Sequence, residues 1–256
     1  MKRKILYLKC VAYSDLNDQM GNYLNLYKDE NTEISVRNIE HGTSHLEYRF
    51  YQAVNQMEIM KNILQAEKDG FDGCVISCFD DPCLYEAREM CRNMVVTAPG
   101  EASMHLAATL GYNFSIVVGR KKWIPQMYDN VIKYGFEKKL KSFRCLDLGV
   151  LDFHKDEQKT TEKLKETVRQ AIELDQAEVI ILGCTMQFGF FEELQNEFDI
   201  PIIDPMIAAV KYAEYLIDIK EKAGWTFSRK GLYERPSDEE MSSWNLEEMH
   251  GLNGLL

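Results

Sequence analysis

The sequence predicts an α/β protein built from two pseudo-symmetric Rossmann-like lobes, each a parallel four-stranded sheet flanked by helices. Short apolar runs alternate with amphipathic helical stretches along the chain, which is typical of parallel sheets covered on both faces. The order of these elements in the first half recurs in the second half. Two cysteines, Cys78 and Cys184, lie 106 residues apart at matching places in the two halves, each at the end of a short apolar run.

The first half predicts four strands and four helices. The strands are expected over residues 5–8, 33–39, 74–78 and 94–97, and the helices over residues 15–28, 48–68, 82–92 and 99–110. Gly70 marks the end of the long second helix, because glycine is the preferred residue just past a helix C-terminus. Asp81 followed by Pro82 predicts an N-cap and the first residue of the third helix.

The second half repeats the pattern. Its strands are expected over residues 114–119, 143–150, 178–183 and 202–203, and its helices over residues 124–133, 158–174 and 190–197. Asp204 and Pro205 then predict the cap and first turn of a last long helix. We expect a first lobe of residues 1–112 with 212–256, carrying the last helix and the tail, and a second lobe of residues 113–211. The acidic tail beyond Pro236 is expected to pack on the surface or on a neighbouring subunit, or to be partly loose.

Composition narrows the class of function. The 256 residues carry a net charge of −11, which disfavours nucleic acid and anionic membranes as partners. Hydrophobic residues make up 45% of the chain, enough for a packed core. No apolar run is long enough to cross a bilayer, and the first residues lack the pattern of a signal peptide. The seven cysteines, without an export signal, predict thiols in a reducing, cytoplasmic compartment. The chain has no C-x-x-C pair, and we expect no metal site.

The paired cysteines carry the chemistry. Ligands of parallel sheets bind beyond the carboxyl ends of the strands, where Cys78 and Cys184 are expected. A helix N-terminus following each cysteine favours the thiolate. A thiolate and a thiol on opposite sides of a carbon can remove a proton from one face and return one to the other. A buried structural role is the common fate of a single cysteine, but the repeated placement favours catalysis.

Neighbours of the two cysteines are candidate substrate-binding residues: Phe79, Asp80, Thr185 and Met186. Asp80 is expected either to orient the Cys78 thiol and meet a substrate N–H, or to be a second acid at a helix start. Thr185 and nearby backbone N–H groups are expected either to stabilise an enolate-like oxygen or to cap a helix.

Several segments resemble the aspartate/glutamate/hydantoin racemase superfamily, and its hydantoin racemase branch most closely. They are Ser77-Cys-Phe-Asp-Asp-Pro-Cys-Leu84, Ala87-Arg-Glu89, Gly100-Glu-Ala-Ser103, Leu182-Gly-Cys184, Ile200-Pro-Ile-Ile-Asp204 and Ser228-Arg-Lys-Gly-Leu-Tyr233. The resemblance extends over nearly the whole chain to about Pro236. It implies catalytic roles for Cys78 and Cys184, no metal or organic cofactor, an active site between two lobes, and a homo-oligomer.

Three departures from the hydantoin branch leave the substrate open. Lys9-Cys-Val-Ala-Tyr-Ser14 stands where that branch has Asn-Pro-Asn, Thr185-Met-Gln187 replaces Ala-Gly-Met after the second cysteine, and Val118-Gly119 replaces Thr-Thr. The interpretation is a cofactor-independent racemase that acts beside a carbonyl of a small hydantoin-like molecule. The alternatives are an aspartate/glutamate-type amino-acid racemase, a maleate isomerase or decarboxylase type of enzyme, and a two-lobed binding module without catalysis.

Overall fold

The computed structural model describes residues 2–252 and 254–256 and contains two four-stranded sheets. The strands of the first sheet are β1 (Arg3–Lys9), β2 (Thr32–Asn38), β3 (Gly73–Ser77) and β4 (Val95–Thr97). Those of the second are β5 (Phe114–Val118), β6 (Leu140–Cys145), β7 (Val179–Leu182) and β8 (Ile202–Ile203).

The two sheets share one strand order. It is β2-β1-β3-β4 in the first sheet and β6-β5-β7-β8 in the second, and the strands pair in parallel. Strand β7 therefore occupies in the second sheet the place that β3 occupies in the first. This confirms the predicted fold class of two parallel four-stranded sheets with helices, and it confirms that the halves repeat.

Ten α-helices connect and flank these strands within the described residues. They are α1 (Asn17–Asn25), α2 (Arg49–Lys68), α3 (Leu84–Met90), α4 (Pro99–Leu110), α5 (Ile124–Lys133), α6 (Glu157–Glu173), α7 (Phe191–Phe198), α8 (Pro205–Ala223), α9 (Asp238–Ser243) and α10 (Leu246–His250). None of the helices in residues 2–252 and 254–256 combines the length and the apolar character that a membrane span requires.

Two sequence expectations are wrong in detail. The strand expected over 143–150 is β6, which ends at Cys145, because Asp147 takes a left-handed backbone conformation with φ of 52° that interrupts the extended chain. Asp81 does not cap the helix that follows it, since α3 begins at Leu84 with Cys83 before it. The Asp81 carboxylate instead accepts hydrogen bonds from the backbone N–H groups of Gly100 and Glu101, in the first turn of α4. The Asp204 cap is confirmed, because its Oδ1 accepts from the backbone N–H of Met206 at 2.8 Å.

The contacts of the chain divide it into two units. The first contains Met1–Ile76, Pro82–Thr97 and Val210–Leu256, and the second contains Ser77–Asp81 and Ala98–Ala209. The sequence placed residues 98–112 in the first lobe, whereas their contacts belong to the second unit. The short segment that carries Cys78 also belongs to the second unit, which contains Cys184 as well.

In the first unit the C-terminal tail packs on the end of α3. The guanidinium of Arg229 donates to the backbone oxygen of Arg88 at 2.6 Å and to that of Cys91, and so supplies partners for carbonyls that a helix end leaves open. The Arg88 side chain in turn lies 4.6 Å from the ring centroid of Phe227 and donates to the hydroxyl of Tyr233. This part of the tail is therefore an integral part of the first unit.

In the second unit the central strands β5 and β7 are fully buried and form the middle of the apolar core. Gly183, the residue before Cys184, is packed so closely that an added Cβ would lie 2.8 Å from Ile116 Cγ2 and 3.0 Å from Val117 O. Its backbone N–H also donates to Val117 O at 2.8 Å. Any larger residue here would displace the strand end that positions the following thiol.

Candidate active site

The second thiol loop, residues 183–188, carries Cys184 and follows β7 directly. Cys184 precedes a short 3₁₀ turn, Thr185–Gln187, and accepts at its backbone oxygen a hydrogen bond from the Gln187 N–H at 2.9 Å. Cys184 and Thr185 are buried, with 9% and 6% of their surface exposed, and Met186 is half-buried. The predicted residues Cys184, Thr185 and Met186 thus share one tight turn at a strand end.

His154 fixes this turn from the other side, and the sequence analysis missed it. Its Nε2 donates to the backbone oxygen of Met186 at 3.0 Å, and its Nδ1 lies 2.9 Å from Glu157 Oε1. The ring also lies 4.5 Å from that of Phe188 and is stacked on Phe190 at 5.4 Å. Because the partner is 32 residues away in sequence, the sequence holds no local signal for this contact.

The first thiol loop, residues 78–81, carries Cys78 and follows β3 directly. Cys78 is half-buried and lies one residue past the strand. The next residue, Phe79, is buried in the core cluster of the second unit, which also contains Cys184. The backbone oxygen of Asp80 accepts a hydrogen bond from Asn130 Nδ2 on α5 at 2.8 Å. The predicted residues Cys78, Phe79 and Asp80 are therefore held by the second unit rather than by the sheet from which they emerge.

Asp81 is the main anchor of this first loop. Its buried carboxylate accepts hydrogen bonds from the backbone N–H groups of Gly100 at 2.8 Å and Glu101 at 2.7 Å, and from the hydroxyl of Tyr134 at 2.9 Å. Burial raises the pKa of the Asp81 carboxyl to about 7, although the three donors favour the charged form. The Asp81 carboxyl therefore titrates near neutral pH. Its hydrogen bonds join the loop to the first turn of α4 and to Tyr134, the residue after α5.

The backbone near Cys78 is locally strained. Asp81 and Cys83 have φ of 49° and 61°, a left-handed conformation that residues other than glycine adopt at a cost. Such conformations cluster where the surrounding structure fixes a functional group. The hydrogen bonds of Asp81 supply that constraint here.

Three further cysteines fit a structural role. Burial raises the pKa of Cys74 and of Cys83 to about 12, and burial also raises that of Cys91. A thiol with such a pKa stays protonated at neutral pH and is a poor nucleophile or base. All seven cysteines lie within the described residues as thiols rather than as disulfides. The expectation that Cys74 belongs to the core agrees with its full burial.

The segment after β1, in the first unit, begins with an unusual lysine. Lys9 is 3% exposed, and burial lowers the pKa of its amine to about 8. Its Nζ donates to Asn17 Oδ1 at 2.9 Å and lies 5.2 Å from the ring centroid of Tyr13. A buried amine therefore lies at the end of β1, in the segment where the resemblance predicts a departure from the hydantoin branch.

Metal ligands are not gathered anywhere in the described part of the chain. Across residues 2–252 and 254–256, no three His, Cys, Asp or Glu side chains are placed together as an ion would require. Independence from metals and organic cofactors remains a prediction of the resemblance. The two loops contain two thiols, the carboxyl groups of Asp80 and Asp81, the Thr185 hydroxyl and the Gln187 carboxamide. Such groups can exchange protons and bind oxygen atoms.

Two parallel α/β sheets of one order, each followed at its equivalent strand by a thiol loop, form the architecture that the sequence resemblance predicted for a racemase-type enzyme. A model of the Asp/Glu/Hydantoin racemase family matches residues 18–213. The chain belongs to this family, and it is an enzyme of the isomerase class.

Individual relatives support the assignment over most of the chain. The chain is 32% identical over 209 residues to a hydantoin racemase from Pseudomonas sp. (strain NS671), with 82% of each protein covered. It is 30% identical over 238 residues to a hydantoin racemase from Paenarthrobacter aurescens, with 93% of this chain and 99% of that protein covered. The solved structure of an allantoin racemase from Klebsiella pneumoniae superposes with a TM-score of 0.85 at 27% identity, covering 92% of this chain and 94% of that one.

Proposed function

We propose that this enzyme racemises 5-substituted hydantoins, or closely related cyclic ureides, by a two-thiol mechanism without a cofactor. One observation carries the proposal. Cys78 and Cys184 follow equivalent strands of two sheets with the same order, and both belong to the second unit. The hydantoin racemases among its relatives and the allantoin racemase of similar fold support the substrate class, because allantoin is itself a hydantoin with a ureido substituent.

The proposed step begins with one thiol ionised. That thiolate takes the proton from C5 of the ring, and the electron pair of the C–H bond moves into the adjacent C4 carbonyl to give an enolate. The opposite thiol then gives its proton to the other face of C5, and the carbonyl re-forms. The ring leaves inverted, and the two sulfurs have exchanged their protonation states. No electron is gained or lost, so the cycle needs no oxidant or reductant.

The surrounding residues have distinct proposed roles. The Thr185 hydroxyl and backbone N–H groups of the 3₁₀ turn stabilise the enolate oxygen, as preorganised donors do in other enzymes. Phe79 and Met186 contribute apolar surface, and Asp80 orients the Cys78 thiol or accepts an N–H of the ring. Asp81 and His154 do not touch the substrate in this proposal. They are positioning residues that fix the two thiol loops.

Solvent isotope exchange tests the proposal. A single enantiomer of a 5-substituted hydantoin is incubated with the enzyme in D2O, and deuterium at C5 and optical rotation are followed together. We expect deuterium to enter the inverted product as rotation is lost, because the returning proton comes from a solvent-exchanged thiol. Loss of rotation without deuterium, or neither change at any enzyme concentration above the non-enzymatic rate, contradicts the proposal.

A further inference from the structure

Gln187 lies in the 3₁₀ turn of the second thiol loop and is fully buried. Neither its Oε1 nor its Nε2 forms a hydrogen bond with any described residue. A buried carboxamide without partners costs free energy, and such groups are rare unless a ligand or an ordered water completes them. The hydroxyl of Ser77, the residue before Cys78, is buried and without a hydrogen bond in the same way. Buried hydrogen-bonding groups without a partner thus lie close in sequence to both cysteines.

The turn geometry places Gln187 beside Cys184. The Gln187 N–H donates to the Cys184 oxygen, which is the i to i+3 bond of a 3₁₀ turn. Cys184 itself has an extended backbone, with φ of −154° and ψ of 133°, and directly precedes the turn. The buried carboxamide therefore belongs to the turn that begins directly after the thiol.

We infer that the carboxamide of Gln187 binds the amide edge of the substrate ring and selects cyclic ureides and imides. This inference rests on the proposed function. A primary amide offers one donor and one acceptor in a plane, and a ring –CO–NH– edge offers the complementary pair. Nε2 donates to the C4 oxygen, where negative charge develops, and Oε1 accepts from the N3–H. An open-chain amino acid has no such edge and leaves the buried amide unpaired.

The test compares two substrates on two enzymes. One substrate is a 5-substituted hydantoin and the other is its N3-methyl derivative, which lacks the N3–H. We expect the wild-type kcat/KM to be at least about 10-fold higher for the N3–H compound, in line with one buried hydrogen bond made or left unmade. In Gln187→Met this preference should shrink to within about 2-fold, because the variant has no acceptor for the N3–H. The variant should also racemise the N3–H compound at least about 10-fold more slowly.

Unfolding measurements separate this role from a structural one. Replacing an unpaired buried amide by an apolar side chain of similar length should leave the free energy of unfolding in urea unchanged or higher. Gln187→Leu serves as the second variant if the methionine packs poorly. Gln158→Met, on the exposed start of α6, is the matched control and should keep the wild-type preference.

The outcomes are distinct. Wild-type activity on hydantoins with an unchanged N3–H preference in Gln187→Met overturns the inference, leaves the proposed function intact, and assigns the amide to an ordered water. Absence of hydantoin racemisation by the wild type overturns both. Loss of the preference together with preserved stability supports the inference.

Discussion

In the proposed mechanism Cys78 and Cys184 have the same acid and base roles, but they act on opposite faces of the substrate carbon. In a two-thiol cycle each serves as the base for one enantiomer and as the acid for the other. Removing one thiol therefore blocks inversion in both directions, while the remaining thiol still reaches one enantiomer. This asymmetry distinguishes the proposed mechanism from one that uses a single base.

Serine substitutions of each thiol provide the first prediction. Cys78→Ser and Cys184→Ser should each lower the racemisation rate by at least about 100-fold, because a hydroxyl is a far weaker acid than a thiol at neutral pH. Each variant should still exchange the C5 proton of one enantiomer in D2O, and the preferred enantiomer should differ between the two. Cys145→Ser is the control, because a hydroxyl can keep the hydrogen bond to the Gly119 oxygen. Near wild-type racemisation by either variant would exclude the two-thiol mechanism.

Asp81 provides a second prediction, on stability against pH. Its folded pKa of about 7 lies above the ordinary value of 3.8, so the folded state binds the proton more tightly than the unfolded state. The stability contributed by this proton is fully present below about pH 4 and is lost as the pH rises through about 7. In Asp81→Asn the contribution is absent at every pH.

Urea unfolding of wild type and Asp81→Asn at pH 5 and pH 8 checks this prediction. The wild-type advantage in the free energy of unfolding should be larger at pH 5 than at pH 8. Part of the advantage should remain at pH 8, where the asparagine amide faces two backbone donors that the carboxylate accepted. An advantage that is equal at both pH values would show that the carboxyl does not take up a proton on folding in this range.

Sequence reasoning finds some of these residues and not others. A cysteine at the end of a buried run is visible in one dimension, so both thiols could be placed. Asp81 was assigned to the wrong helix, because the neighbouring proline is a local signal, whereas its real partners are 19 and 20 residues away. The role of His154 could not be predicted either, because its partner Met186 is 32 residues away in sequence. Local propensity competes with tertiary contacts, and here the tertiary contacts prevail.

At the scale of elements, the close approach of α4 to the first thiol loop is the critical fit. Gly100 lies in the first turn of α4, and an added Cβ would lie 2.6 Å from the backbone oxygen of Phe79 and 2.8 Å from Asp81 Oδ2. Backbone atoms cannot yield as a flexible side chain does, so the loop or the helix start has to move. The thiol of Cys78 would move with the loop.

Gly100→Ala is therefore expected to impair activity more than a surface change would. We expect kcat/KM to fall by about 10-fold or more, since small displacements of a catalytic group are costly, and the free energy of unfolding to fall by about 1–3 kcal/mol. Gly21→Ala in α1 is the matched control, because its Cβ would meet Val36 Cγ2 at an ordinary 3.6 Å. That control should keep its activity and gain about 0.5–1 kcal/mol. Equal activity of the two variants would argue against the close fit.

Most elements could be predicted because their boundaries are marked by local chemistry. Helix α5 and strand β8 have the predicted bounds, where a proline and a short apolar run give clear signals. Strand β6 was placed too far along the chain. The apolar residues after Cys145 alternate as in a strand, but Leu146 and Leu148 bond to the end of β5 around a left-handed Asp147 instead. An alternating apolar pattern indicates that every second side chain is buried. A packed loop can bury its side chains in the same way as a strand, so the pattern alone does not distinguish the two.

At the scale of the whole molecule, the internal repeat was the strongest sequence signal. The shared strand order makes β3 and β7 equivalent, so the thiols repeat because the fold repeats. The repeat accounts for the two thiols, but it does not specify a substrate. Substrate preference is therefore the property that needs a direct comparison.

The final prediction is that 5-substituted hydantoins lose optical rotation faster than aspartate or glutamate with this enzyme. The α-proton of a free amino acid is weakly acidic, because its carboxylate already carries a charge and accepts more only at high cost. A hydantoin C5 lies beside a neutral ring carbonyl that takes the developing charge, so we expect the donors of the Thr185–Gln187 turn to be enough to stabilise the enolate. Polarimetry at equal enzyme and substrate concentrations, with the non-enzymatic loss subtracted, gives the two rates. Turnover of aspartate or glutamate with inert hydantoins would assign the chain to the amino-acid branch.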